Sequence, residues 1–331
     1  MRLLYRVGGE RDWCFEATSV LNARRFVQAL PRPLVSSLFL VAAIGNIVRN
    51  RRKTSLAHFH GDYLEALAAG AVRMLGVPSV LTLHAGLSPR VLNRVGFLYR
   101  LPSHLVAVSP AIAQQLNEVD VSTGRVTIQP SGVDVEIFYP ARRRPDMPPL
   151  RIIVAAALIQ RKDHPTLFAA VRLLQAEGVD VRVEVAGVGP EHDRLARLAP
   201  PRTRFHGQLA RPALGRLMRR CHVAALASVD ASQTREGTPT FLMEGIACGL
   251  PFVATDTGGV RQLASRSRAG LIVPQRSPVE FAAALRRFAE DGPLYETFHD
   301  AALAFAPALD WDRVAERLNA LMSAIVAPRW R

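Results

Sequence analysis

Along most of this chain, apolar runs of strand length alternate with segments of helical period, and that alternation points to a parallel sheet flanked by helices. In the second half, Arg151–Ala155 reads as a strand, Pro165–Ala176 as a helix, Val181–Ala186 as a strand and Gly187-Val188-Gly189 as a turn. Pro212–Cys221 is then helical, Val223–Ala227 extended, Pro239–Cys248 helical and Phe252–Thr255 extended. In the first half, Leu56–Gly61, Ser79–His84 and Leu105–Ser109 end as strands, with helices over Leu64–Leu75 and Pro110–Glu118. Both halves are therefore α/β, built from repeated Rossmann-like βα steps. Between them, Tyr139–Pro149 carries prolines and charges that forbid a continuous helix or central strand, and the interdomain linker is expected there. The expected domains are 1–140 and 141–309, followed by an amphipathic helix over 310–331.

A chain of 331 residues is long enough for two domains that each bury a core, and with nearly half of its residues apolar it is not a disordered protein. Cys14, Cys221 and Cys248 lie far apart with no metal-ligand spacing, which argues against a disulfide framework or zinc site and suits a reducing cytoplasm. The 42 basic and 28 acidic residues leave a net charge of +14, which draws a protein toward phosphorylated substrates, anionic lipid or nucleic acid without choosing among them. No nucleic-acid-binding module is recognisable, so no nucleic-acid partner is expected. Only Lys53 and Lys162 are lysines; the rest of the excess is arginine.

The segment after Met1 runs into charge rather than a secretory apolar core, and Leu34–Val48 falls short of the roughly 20 apolar residues of a membrane span. Arg49-Asn50-Arg51-Arg52-Lys53 follows it. Two readings stay open there: a peripheral contact with anionic membrane at its inner face, or an amphipathic helix packed on a sheet with a solvated basic end.

The densest chemistry lies in Glu236-Gly237-Thr238-Pro239, which leads through a short helix containing Glu244 to Gly249-Leu250-Pro251. Thr238 is the expected N-cap, Pro239 lies in the first turn, and Gly249 is the C-terminal stop. One acid thus precedes the helix and one lies within it. The strand Phe252–Thr255 empties into Asp256-Thr257-Gly258-Gly259, a turn open enough for backbone amides to approach an anion. This is the outline of a nucleotide-diphosphate site.

The run resembles the signature of the retaining glycosyltransferases of family 4: Glu, seven residues, Glu, a Gly-x-Pro turn, an apolar strand and a Gly-Gly loop. Pro130-Ser131-Gly132-Val133-Asp134, continuing to Phe138-Tyr139-Pro140, is similar to that family's approach to its linker, with Ser131 in place of the usual Asn. The segment Leu158–His164 corresponds to the one holding the family's donor-phosphate lysine, here Lys162. The resemblance implies a GT-B fold, two Rossmann-like domains facing across a cleft, with a terminal helix that returns to the first. Only 57 residues precede His58, so the first domain is expected to be abridged at its start.

The resemblance also implies roles. Glu236 faces the donor sugar, while Gly237, Thr238, Gly258 and Gly259 line the donor. Glu244 accepts hydrogen bonds from two ribose hydroxyls. His84, on the loop after a strand, stands near sugar and acceptor, although a lone histidine there is often structural. His58 and His60 share a strand face that either lines a cleft or packs inside. An Arg that commonly precedes the lysine is replaced here by Ala156 and Ala157, leaving Arg161 or backbone amides to compensate, and Gln262 stands where another Glu is common.

The implied activity is metal-independent transfer of a sugar from a nucleotide-diphosphate donor to a glycan or lipid-linked acceptor, of the exopolysaccharide or lipopolysaccharide type, with no further cofactor. Two other readings remain: a nucleotide-sugar epimerase on the same fold, and an inactive GT-B pseudoenzyme or basic surface-binding protein.

Overall fold

A computed structural model describes residues 41, 44–84, 86–230 and 239–327 and divides the chain into two compact units. Unit 1 comprises Met1–Pro130 with Asp312–Arg331, and unit 2 is Ser131–Trp311. The expected shortening at the start of the first domain falls on residues outside the described ones.

In unit 1, strands β1 (Ala57–His60), β2 (Ser79–Leu83), β3 (His104–Ala107) and β4 (Val126–Ile128) form a parallel sheet in sequence order. Helices α1 (Tyr63–Met74), α2 (Pro89–Val95) and α3 (Pro110–Asn117) connect them. Each starts at a residue that satisfies orphan amides. Asp62 and Glu65 form a reciprocal capping box on α1, and the Ser88 and Ser109 hydroxyls accept from Val91 and Ile112. Tyr99, fully buried, donates its phenol to the Asp62 carboxylate, which ties the start of α1 to the core. Ala66, Ala68, Ala69 and Val72 of α1 are completely buried, so small residues let this helix lie close over the sheet.

Unit 2 is a six-stranded parallel sheet built from β5 (Leu150–Ala155), β6 (Val181–Ala186), β7 (Thr203–Phe205), β8 (Val223–Leu226), β9 (Phe252–Thr255) and β10 (Gly270–Val273). Its order, β10-β9-β8-β5-β6-β7, is the doubly wound arrangement, in which the chain reverses direction between β5 and β8. Helices α4 (His164–Ala176), α5 (His192–Leu198), α6 (Arg211–Met218), α7 (Thr240–Ala247), α8 (Val260–Ser267), α9 (Pro278–Glu290) and α10 (Gly292–Phe305) cover its two faces. On one face, Phe168 and Val171 of α4 meet Phe281, Leu285 and Phe288 of α9. On the other, Leu242, Met243 and Ile246 of α7 pack against Phe252 and Ala254. Burying each such side chain stabilises the fold by about 1.5–3 kcal/mol. The terminal helix α11 (Trp311–Val326) joins unit 1 from Asp312 onward.

The two points where the chain enters and leaves unit 2 lie side by side. Val133 N–H donates to Leu309 O at 2.7 Å, and Trp311 N–H donates to Val133 O at 3.2 Å. A Cβ on Gly132 would come within 2.6 Å of the Trp311 indole, so only glycine fits there. The units thus divide after Pro130, and Tyr139–Pro149 lies within unit 2, because Val133 and Phe138 are already fully buried in its core. Arg219 lies 4.0 Å over the Tyr139 ring and donates to Ile137 O, which holds the same segment down.

The turn after β6 approaches the loop after β5 so closely that side chains are excluded. Gly187 has φ +148, and a Cβ there would stand 1.9 Å from Ala156 O; one on Gly189 would stand 2.3 Å from Leu158 O. Gly187→Ala is expected to destabilise the protein by at least about 2 kcal/mol in urea unfolding, through strain plus collision. Gly178, at φ +86 with nothing within 4 Å, sets the comparison: its Ala variant should lose only about 1 kcal/mol, the conformational cost alone.

Candidate functional site

At the carboxyl ends of β5, β8 and β9 several loops converge, the place where an open parallel sheet offers a crevice. After β5, a 3-10 turn over Gln160–Lys162 presents Arg161 and Lys162, both half-buried. Asp163 follows in the left-handed region at φ 40, accepts from the Thr166 hydroxyl at 2.6 Å and redirects the chain into α4. The loops after β5 and β8 are joined where Val229 N–H donates to Arg161 O at 2.9 Å. Gln275, after β10, extends this seam: it accepts from Asp230 N–H at 3.0 Å and donates to Asp256 O at 2.8 Å.

Helix α7 starts at the same edge. Its N-cap is Pro239 and its first residue is Thr240, which corrects the expected Thr238 cap with Pro239 in the first turn. Proline's missing N–H costs nothing at a helix start, where amides lack intrahelical partners in any case. Glu236, Gly237 and Thr238 lie outside the described residues. Gly245 lets α7 approach β8 closely, a Cβ there meeting Ala224 Cβ at 3.1 Å.

Glu244, one turn into α7, is 8% exposed. Burial pushes its carboxyl up to about 7, against the pull of Arg211, whose guanidinium stands 3.7 Å from Oε1. Arg211, at the start of α6, also lies 5.4 Å over the Phe138 ring.

Gly258, at φ +46, and Gly259, the residue before α8, form the turn expected after β9. Asp256 beside them pairs with Arg261 in a two-pronged contact. Gln262 is half-buried on α8.

Four buried polar atoms in the segments that follow these strands have no hydrogen-bond partner among the described residues: both ring nitrogens of His164, Ser228 Oγ and Thr257 Oγ1. His164 opens α4 beside Lys162, and burial followed by that lysine's charge lowers its pKa to about 4, so the ring is neutral and offers one donor and one acceptor. Sequence reasoning passed over His164, Ser228 and Thr257, because nothing in their spacing marks them. Burial at one sheet edge does.

The structure thus brings Lys162, Arg161, Glu244, Gly258 and Gly259 to one edge of a single sheet in unit 2. The sequence-predicted His84 belongs to unit 1, with His58 and His60. His60 Nδ1 lies 2.9 Å from His84 Nε2, His58 Nε2 lies 2.8 Å from Thr82 Oγ1, and the His58 and His60 rings are 4.2 Å apart. Burial, then the neighbouring imidazoles, lowers His58 to about 3. Burial likewise comes first in lowering His60, to about 4, and His84. Among the described residues no group of three or more His, Cys, Asp or Glu is placed to hold a metal ion, and no helix is long and apolar enough to cross a membrane.

The histidine cluster makes stability pH-dependent. Above pH 6.5 His58 is neutral in both states; as pH falls, the unfolded chain takes up a proton that folded His58 refuses until about 3, so stability drops over that window. Unfolding midpoints measured from pH 7.5 to 4.5 should fall, and His58→Gln should flatten the slope.

Known proteins match the chain on both sides of the Pro-rich segment. The family Glycosyltransferase Family 4 matches residues 7–137 and Glycosyl transferases group 1 matches residues 149–291. WcaL of Escherichia coli (strain K12), a glycosyltransferase provisionally assigned to colanic acid biosynthesis, is 27% identical over 77% of this chain and 66% of its own length, so the chain spans just under two thirds of it. A D-inositol 3-phosphate glycosyltransferase of Paenarthrobacter aurescens is 26% identical over 92% of this chain and 84% of the relative. The crystal structure of Anabaena HepE in complex with UDP superimposes with a TM-score of 0.73 at 19% identity, covering 85% of this chain and 82% of that one. That likeness shows the GT-B fold.

Proposed function

The chain belongs to the family 4 glycosyltransferases, and we propose that it transfers a sugar, with retention at the anomeric carbon, from a nucleotide-diphosphate donor to a glycan or lipid-linked acceptor. The observation that carries this reading is the convergence of Lys162, the Gly258-Gly259 turn and the start of α7 at the carboxyl edge of one sheet.

The chemistry follows from charge. As the sugar–phosphate bond breaks, negative charge grows on the diphosphate, and preorganised donors aimed at it are each worth about 10²–10³ in rate. Lys162 supplies the cation, and the amides of Gly258 and Gly259 and of the first turn of α7 supply dipoles, with about 0.3–1 kcal/mol from the helix end. Ala156 and Ala157 bring no charge, so Lys162 and Arg161 are the cations assigned to the diphosphate. Glu244 receives the ribose hydroxyls, and Glu236 orients the donor sugar and stabilises the positive character of its anomeric carbon. The acceptor hydroxyl enters on the face the diphosphate leaves, so the departing phosphate takes its proton. His84 is assigned to the sugar and acceptor. No metal enters this scheme, because lysine and amides answer the diphosphate charge. The UDP in the HepE structure and the exopolysaccharide assignment of WcaL make a uridine donor and an exopolysaccharide acceptor the first to test.

Calorimetry against UDP-, GDP- and other nucleotide sugars tests the proposal, and failure to bind any donor would sink it. Lys162→Ala is expected to weaken UDP binding about tenfold or more and transfer about 10²-fold. Glu236→Gln should lower transfer by a similar factor while leaving UDP affinity within about threefold, because the acid acts on the sugar rather than on the nucleotide.

A further inference from the structure

Arg211 lies outside every motif considered so far, in a helix that begins 33 positions before Glu244, yet the fold sets the two side by side. The Glu244 side chain is 10% exposed and that of Arg211 51%, so the carboxylate is inside and the guanidinium covers it from the rim. The 3.7 Å separation is an ion pair without a tight hydrogen bond, and among the described residues it leaves the carboxylate's acceptor positions open. Arg211 is itself held from the other side by the Phe138 ring at 5.4 Å. Phe138 is fully buried, so this platform is rigid.

Among the described residues, no other group near Glu244 substitutes for that cation. Cys248, one turn along α7, is held as a neutral thiol by burial, which pushes it up to about 12. Arg219 acts on Cys248 and is engaged with Tyr139 and Ile137. On α10, His299 is committed to Gly249 O through Nδ1 at 2.5 Å. From β8 and β9 the packing is apolar: Ala224, Leu226, Phe252 and Ala254.

We infer that Arg211 is a positioning residue of the nucleotide site, favouring the ionised form of Glu244 in which both oxygens can accept from the ribose diol, and acting on the nucleotide only through that carboxylate. The inference rests on the donor site assigned above. A buried carboxylate deprived of its cation takes up a proton, and one of its two acceptors becomes a donor that a hydroxyl pair cannot satisfy equally.

UDP binding by calorimetry between pH 5.5 and 8.5 tests this in the wild type, Arg211→Gln and Arg211→Lys, with 2′-deoxy-UDP as the second ligand. Since Glu244 titrates near 7 with Arg211 in place, its removal raises that value, so affinity in Arg211→Gln should fall from a higher pH than in the wild type. The gap should be about fivefold at pH 7 and close by pH 8.5 or above, once both forms are ionised. Phosphate ionisation of UDP is common to all three proteins and cancels. Arg211→Lys should restore most of the affinity at pH 7. With 2′-deoxy-UDP the difference between wild type and Arg211→Gln should shrink, because the hydroxyl that reports on Glu244 is gone.

A pH-independent loss, or an equal loss for UDP and 2′-deoxy-UDP, would overturn the inference while leaving the nucleotide site standing. Absence of binding by the wild type to both UDP and GDP overturns the donor site itself and the inference with it.

Discussion

The short ladder between β5 and β8 is the constraint on which the rest of the site depends. The two strands pair through only Ile152 with Val223 and Ile153 with Ala224, whereas β5 pairs with β6 over six residues. Past that point the chain leaves β5 into the Lys162 turn and β8 into the segment that leads to α7. Beyond it, Val229 donates to Arg161 and joins the two loops again. A doubly wound sheet thus separates its strands where the connections run in opposite directions, and the residues with anion-binding chemistry come from the loops at that separation.

Close backbone packing keeps those loops in place. Gly187 and Gly189 bring the turn after β6 against the carbonyls of Ala156 and Leu158, while Gln275 ties the loops after β8 and β9 to the end of β10. Ala156 therefore belongs to a tightly packed corner, while Ala157 is exposed beside it. The residues at that corner are small where they touch, and the positive charge is carried further along, at Arg161 and Lys162.

Much of this was legible beforehand because strand and helix periods are local. Val181–Ala186 and Phe252–Thr255 coincide with their expected bounds, and α3, α4 and α7 fall within one or two residues of theirs. Glycine and proline marked the turns. Contacts between distant segments left no such trace: Arg211 beside Glu244, Gln275 across three loops, and His164 sealed inside the start of α4. The division after Pro130 was equally hidden, since proline and charge mark a break in regular structure but do not reveal that Val133 and Phe138 already belong to the second core. Thr238 and Pro239 show the limit of motif reading within a single turn. Both are good helix starters, and the backbone geometry chose the second as its cap.

The seam formed by Val133 with Leu309 and Trp311 has a consequence for the evolution and engineering of the chain. A module whose two ends leave through one pair of hydrogen-bonded neighbours can be lifted out of its host as a closed piece, because the cut ends need no long bridge to span. Expressed from Ser131 to Trp311, unit 2 is suited to stand alone, to be circularly permuted across that seam, or to be grafted onto another first unit.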